Sequence, residues 1–318
     1  MKRTLILYSG ARLALLVLSI AVIIPVIGYY YSSWRPPGLR DLLSTLRALG
    51  YGDQIKTPSG LLDATRKVAP KLTSHVKRVL ILAPYDSIES GLAMFVAPPS
   101  IMLHGLVVLL VTLYASVLHE IGRTGVYGVY SAATGSRTRL LSELLRSHML
   151  LTVIVASTAL SPLLVVGLAN PWTGWRGPGP VALVYLTALV AVVAETMLYT
   201  MVATIMVERK LFYESILLTI VSIYIVPALL IASAALLSGH GTVVKLVFVS
   251  LVALLPLHAA PGLLYEAVKH GADMAASQYL HAGPEPLLST MGFTVSLLAM
   301  VFMVIHSRRL LERHGVPW

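Results

Sequence analysis

Long apolar runs broken by short polar connections dominate the chain, and the runs are long enough to be read as membrane spans. A helical span needs about 20 predominantly apolar residues to cross a hydrocarbon layer about 30 Å thick. Six stretches meet that length: Leu5 to Tyr29, Pro99 to Leu118, Met149 to Leu168, Val181 to Val207, Ser215 to Leu237 and Leu287 to Ile305. A further apolar run, Val243 to Leu255, is 13 residues long and contains Lys245. Such a run is short for a span and suits a re-entrant or interfacial segment. The first run follows Lys2 and Arg3 as a signal peptide would, but it lacks an A-x-A-like cleavage site. Tyr29, Tyr30, Tyr31 and Trp34 instead follow it like an interfacial aromatic belt, so the run reads as a retained span.

The pattern divides the 318 residues into six parts. Residues 1–31 are the N-terminal tail and first span, and 32–97 an extracytoplasmic segment. Residues 98–148 hold the second span and a cytoplasmic loop, and 149–242 the third to fifth spans. Residues 243–286 are a re-entrant or outer segment, and 287–318 the last span and a cytoplasmic tail. The expected fold is an all-α polytopic membrane protein with six transmembrane helices, a re-entrant outer hairpin before the last span and a small outer segment between the first two. In that outer segment Leu39, Leu42, Leu43, Leu46 and Leu49 recur at helical spacing, and a second helix is expected from Ser59 to about Val68, before Pro70. "RVLILAP", residues 78–84, reads as a short strand or buried connector.

Composition agrees with the pattern: 57% of the residues are hydrophobic and 12% charged, the charged share being about half that of soluble domains. The net charge of +10 is dispersed among loops and is not a nucleic-acid signal. It reports orientation, because short cytoplasmic loops collect Lys and Arg. With a cytoplasmic N-terminus, six spans place Lys2, Arg3, Arg12, Arg123, Arg137, Arg139, Arg146, Arg209, Lys210, Arg308, Arg309 and Arg313 inside. The short outer loop from Asn170 to Pro180 keeps only Arg176, with Trp172 and Trp175 as anchors. Were Val243 to Leu255 a full span, the last three arginines would fall outside. The outer segment carries nine Lys/Arg against five Asp/Glu, as long translocated segments are free to do.

Chemistry-bearing motifs are few. Zero cysteines exclude disulfides, thiolate metal sites and cysteine nucleophiles. His119-Glu120 begins like the H-E-x-x-H zinc motif, but Arg123 stands at its fifth position. His258, Glu266, His270, Asp273 and His281 form a polar series read as a solvated outer loop rather than a metal site. The eleven Met residues read as packing. Glu195, midway along the fourth run, needs explanation, because a carboxylate at bilayer depth costs about 2.5–3.5 kcal/mol on insertion scales. It is expected to face the bundle, as a polar group on a transport path or dimer interface, or as one half of an interhelical bond with His104.

The polar stretch between the second and third runs, "GVYGVYSAATGSRTRLLSELLRS" at residues 125–147, begins just after His119-Glu120. Its second half, Ser136 to Leu145, is expected to form a helix capped by Ser136 or Thr138 and lying at the membrane surface or docked on a partner. Its order of residues resembles the loop between the second and third spans of permease subunits of type-2 ABC exporters. Glu120 and Arg123 stand for that family's charged cluster, Thr124-Gly125 for its glycine pair and Ser136-Arg137 for its Ser-Arg element. Thr134 occupies the usual Pro position, and Leu144 falls about where a Lys is common. The layout of spans and outer segment is similar as well.

The resemblance implies a plasma-membrane transport subunit with two permease chains, identical or homologous, and two ATPase chains. Glu120, Arg123, Gly125, Tyr127, Tyr130, Ser136, Arg137 and Arg139 would then form the ATPase-coupling element. No G-x-x-x-x-G-K-[ST] sequence occurs, so no phosphate-cradling loop for ATP is expected here. ATP and Mg would be bound by the partner, with no cofactor, metal, catalytic residue or nucleic acid in this chain. A different class of function, a membrane-embedded enzyme or assembly scaffold working through the outer segment, is the alternative.

Overall fold

A computed structural model describes residues 10–33, 39–68, 100–125, 137–170 and 178–226, together with Val129, Leu229 and Leu298. Every regular element among them is helical: α1 Ala11–Ser33, α2 Leu39–Ala48, α3 Pro58–Val68, α4 Ser100–Arg123, α5 Arg137–Ala169, α6 Pro178–Glu208 and α7 Phe212–Ile220. Four of them, α1, α4, α5 and α6, are long and apolar enough to cross a membrane. The expected fifth span is described only as α7 and the turn that continues it to Ile225. Apart from Leu298, the last span lies outside the described residues, as do the short run before it and "RVLILAP".

Two contacts fix how the long helices run. At one end Arg12 Nη2 donates to Glu120 Oε2 at 2.5 Å, joining the start of α1 to the end of α4. At the other, Asn170 Nδ2 donates 2.7 Å to Tyr31 O, joining the ends of α1 and α5. Helices α1 and α5 are therefore parallel, and α4 opposes both. The connection from Ala169 to Pro178 reaches at most roughly 30 Å when fully extended. That is shorter than either helix it joins, so α6, packed along α5, runs back antiparallel. Arg12, Arg123, Arg209 and Lys210, all partly or well exposed, consequently share one end of the bundle.

The faces divide by solvent. α1 buries Leu16, Ile23, Ile27 and Tyr31 against the other helices but exposes Leu13, Leu15, Val17, Leu18, Val22 and Val26. A helix apolar all round suits hydrocarbon, where exposed leucine carries no penalty. Its close approach to α5 uses a small residue: a Cβ on Gly28 would lie 3.7 Å from Pro162 Cβ, ordinary contact for alanine and too near for a branched chain.

α5 differs from expectation in length. The helix expected from Ser136 to Leu145 is present, but it continues without a break into the third span. The reason is local: no Gly or Pro separates Arg137 from Met149, and Leu140, Leu141, Leu144 and His148 are buried at the spacing that continues the inner stripe of the span. Its 33 residues make it roughly 50 Å long, so it extends well past a 30 Å hydrocarbon layer.

Residues 39–68 build a small unit of their own. Thr57 caps α3 through Gly60 N to Thr57 Oγ1 at 3.1 Å, with Pro58 at the first helical position, where its missing N–H costs nothing. Leu46, Ile55, Leu61, Ala64 and Val68 are buried apart from the bundle's core cluster.

Two helices end in the same hydrogen-bonded cap with different residues. In α2 Gly50 N bonds Arg47 O and Tyr51 N bonds Leu46 O, both at 3.0 Å. In α6 Lys210 N bonds Val207 O and Leu211 N bonds Met206 O, both at 2.9 Å. The cap demands a left-handed residue, supplied by Gly50 at φ +87 and by Lys210 at φ +63. A side chain there costs about 1–2 kcal/mol, so Lys210→Gly is expected to raise stability by about 1 kcal/mol in thermal unfolding in detergent. A lower melting temperature would mean that the lysine's charge at the helix C-terminus outweighs the strain.

Candidate functional site

At the middle of the bundle, α6 presents Glu195 toward α4 and α7. Its carboxylate is fully buried, and His104, on α4 and 3% exposed, places Nε2 3.4 Å from Glu195 Oε1. That is an ion-pair distance, longer than a well-formed hydrogen bond. α7 completes the group because its helix widens: residues Val221–Ile225 form a π-turn, which adds a residue to the turn and re-aims the side chains that follow. Ser222 from this turn shares a side-chain hydrogen bond with Tyr199 of α6. Tyr224 sets its ring edge-on to His104 with centroids 6.2 Å apart. Gly105 makes room, since a Cβ there would meet Tyr224 Oη at 3.4 Å. A carboxylate, an imidazole and two phenols from three helices thus meet at bilayer depth.

A second polar group lies nearer the basic end. Tyr114 of α4 is buried with its ring 4.9 Å from that of His148 on α5, and it shares a 3.3 Å hydrogen bond with Thr204 of α6. Thr204 also donates 2.8 Å to Thr200 O. Thr152, Thr196 and Thr200 are fully buried, and among the described residues their hydroxyls make no hydrogen bond. Thr196, Thr200, Thr204 and Glu208 follow one another at four-residue spacing, so α6 carries one continuous polar face over its second half.

Of the residues expected from the sequence, Glu195 and His104 are together. Glu120 and Arg123 lie exposed at the end of α4, but Glu120 pairs with Arg12, a link worth about 0–1 kcal/mol at this exposure. Thr124 Oγ1 donates 2.8 Å to Glu120 O, and Gly125 leaves the helix at φ +71, a conformation glycine adopts without strain. Arg137 and Arg139 open α5. Tyr127, Tyr130 and Ser136 lie outside the described residues, as do His258, Glu266, His270, Asp273 and His281. His119 stacks on Phe212 at 4.7 Å, tying α4 to α7. Among the described residues no three metal-binding side chains converge.

Sequence reasoning missed the pairing of Arg12 with Glu120, and it missed Tyr114, His148, Tyr199, Ser222, Tyr224 and the threonines. The threonine spacing in "ETMLYTMVATIMVE" was the available signal. By its described residues the chain is an all-helical, membrane-embedded protein. No protein-family model matches it, no curated protein matches, and no solved structure does.

Proposed function

We propose that the chain is the permease subunit of a type-2 ABC exporter in the plasma membrane, driven by ATP hydrolysed on a separate subunit. The observation that supports this most is the arrangement of the basic end. The charged end of α4, with Glu120, Arg123 and Gly125, and the arginine-rich start of α5 come to the same end of the bundle. α5 there extends about 18 Å beyond Met149, twelve residues at 1.5 Å each. A rigid helix anchored in the core at Leu140, Leu141 and Leu144 is a suitable lever: force applied at Arg137 is transmitted to the helices it packs against. In this reading residues 125–147 form the docking element for the ATPase, two permease chains meet two ATPases, and Mg-ATP is bound by the partner. Both termini are cytoplasmic, with six spans. Residues Val243 to His270 form a re-entrant hairpin turning near Pro256 to Gly262 and packed against protein.

Purification of the full chain from its native membrane in mild detergent should bring with it an ATP-binding subunit and Mg-dependent ATP hydrolysis. Recovery of the chain without such a subunit overturns the reading. The topology has its own check: a C-terminal tag should resist an impermeant label in intact cells and react once they are opened. Labelling from outside would make Val243 to Leu255 a span.

A further inference from the structure

We propose that the polar face of α6 is a water-lined proton path joining Glu195, in the middle of the membrane, to the basic end of the bundle. This does not depend on the transport reading above. The argument begins with spacing. Thr196, Thr200, Thr204 and Glu208 stand four residues apart, about 6 Å along the axis at each step. One water between two hydroxyls spans about that distance, two hydrogen bonds of about 2.8 Å each. The side chains are equipped to hold such waters: Thr152, Thr196 and Thr200 hydroxyls and Glu208 Oε1 are buried and make no hydrogen bond among the described residues. A buried polar group without a partner costs about 1–3 kcal/mol, and ordered water is the usual remedy where several such groups face one site.

The ends of the row suit proton movement. Glu208 closes α6 beside the exposed Arg209 and Lys210, so a proton enters from the aqueous phase there. It passes along the bound waters, with the Tyr114 hydroxyl at Thr204 and the His148 ring beside it as further relay groups. It ends on the Glu195 carboxylate, which becomes a neutral carboxyl 3.4 Å from His104 Nε2. Among the described residues the groups facing Glu195 are His104 from α4, Tyr224 from the π-turn after α7, and Tyr199 on α6 itself. A proton bound there neutralises the buried carboxylate, whose ionised form is costly in hydrocarbon. Thirteen helical steps separate the two glutamates, about 20 Å of helix, which a dry helix would insulate.

The test is infrared difference spectroscopy on the full chain in phosphatidylcholine vesicles. The Glu195 band, identified by its loss in E195Q, is expected to change with bulk pH and to shift promptly in D2O. T200V keeps the shape of threonine but removes the hydroxyl, and should slow that exchange tenfold or more. T200S restores the hydroxyl and should restore the rate. T158V, on the exposed side of α5, should change nothing. A Glu195 band that ignores both pH and D2O would show the face to be dry and overturn the proposal. Exchange equally fast in T200V and wild type would overturn the route.

Discussion

Replacing His104 by Leu is expected to destabilise the protein by about 3 kcal/mol, because it leaves Glu195 buried without the imidazole 3.4 Å away. The loss should be conditional. In the double variant H104L/E195Q no ionisable carboxyl remains, and most of the lost stability should return, although two polar side chains have been changed. Glu195→Gln alone keeps shape and hydrogen-bonding capacity and should unfold close to wild type, whereas Glu195→Leu should lower stability. Unfolding in graded denaturing detergent reads all four variants on one scale. Strictly additive losses for His104 and Glu195 would mean that the two groups do not interact. A Gln variant that folds normally but loses transport-linked ATP hydrolysis would place the carboxyl's ionisation in the transport cycle. Unchanged hydrolysis leaves Glu195 a structural or proton-binding group alone.

The second large effect belongs to the basic end. If residues 125–147 dock on an ATPase, replacing Tyr127 and Tyr130 together by Ala should weaken that association by about 2 kcal/mol per buried anchor, roughly 30-fold for each. Neither tyrosine lies in an apolar run, so membrane insertion and the melting temperature should be unchanged. Arg137→Glu should weaken binding as well if its partner is a carboxylate, since a guanidinium–carboxylate fork becomes a repulsion. Co-purified stoichiometry and coupled ATP hydrolysis are the measurements. Both variants retaining the ATPase at wild-type levels would reduce the stretch to a linker and remove the local support for the permease reading.

The two sites differ in how far the sequence exposed them. Glu195 stood out because a carboxylate inside an apolar run has a large solvation cost whatever surrounds it. His104 was named as its partner only because it lay in another run. Nothing in the sequence located Tyr224 or Ser222, because their approach depends on a π-turn, and widening a helix by one residue leaves no residue-type signature there. His148 was hidden differently. It lies just past the polar stretch, where charge suggested a surface helix, but the buried leucines before it continue the inner face of the span. Arg12 and Glu120 are 108 positions apart, and only the antiparallel packing of α1 and α4 brings them together.

By itself, then, the sequence determined what each segment's solvent must be. The length and apolarity of the runs required membrane helices, the Leu spacing after Gly38 required an amphipathic helix, and a second helix was expected from Ser59 to about Val68, one residue inside the observed start of α3 at Pro58. These follow from local rules: backbone groups in hydrocarbon must bond within their own helix, and apolar periodicity tracks the helical repeat. Tertiary structure alone decided which helices are neighbours and that the threonines of α6 face inward rather than toward lipid. The physical reason is that hydrocarbon does not distinguish one apolar helix face from another. Neighbours are selected by close packing at positions such as Gly28 and by a few buried polar contacts, and both belong to pairs of distant residues rather than to any one stretch of chain.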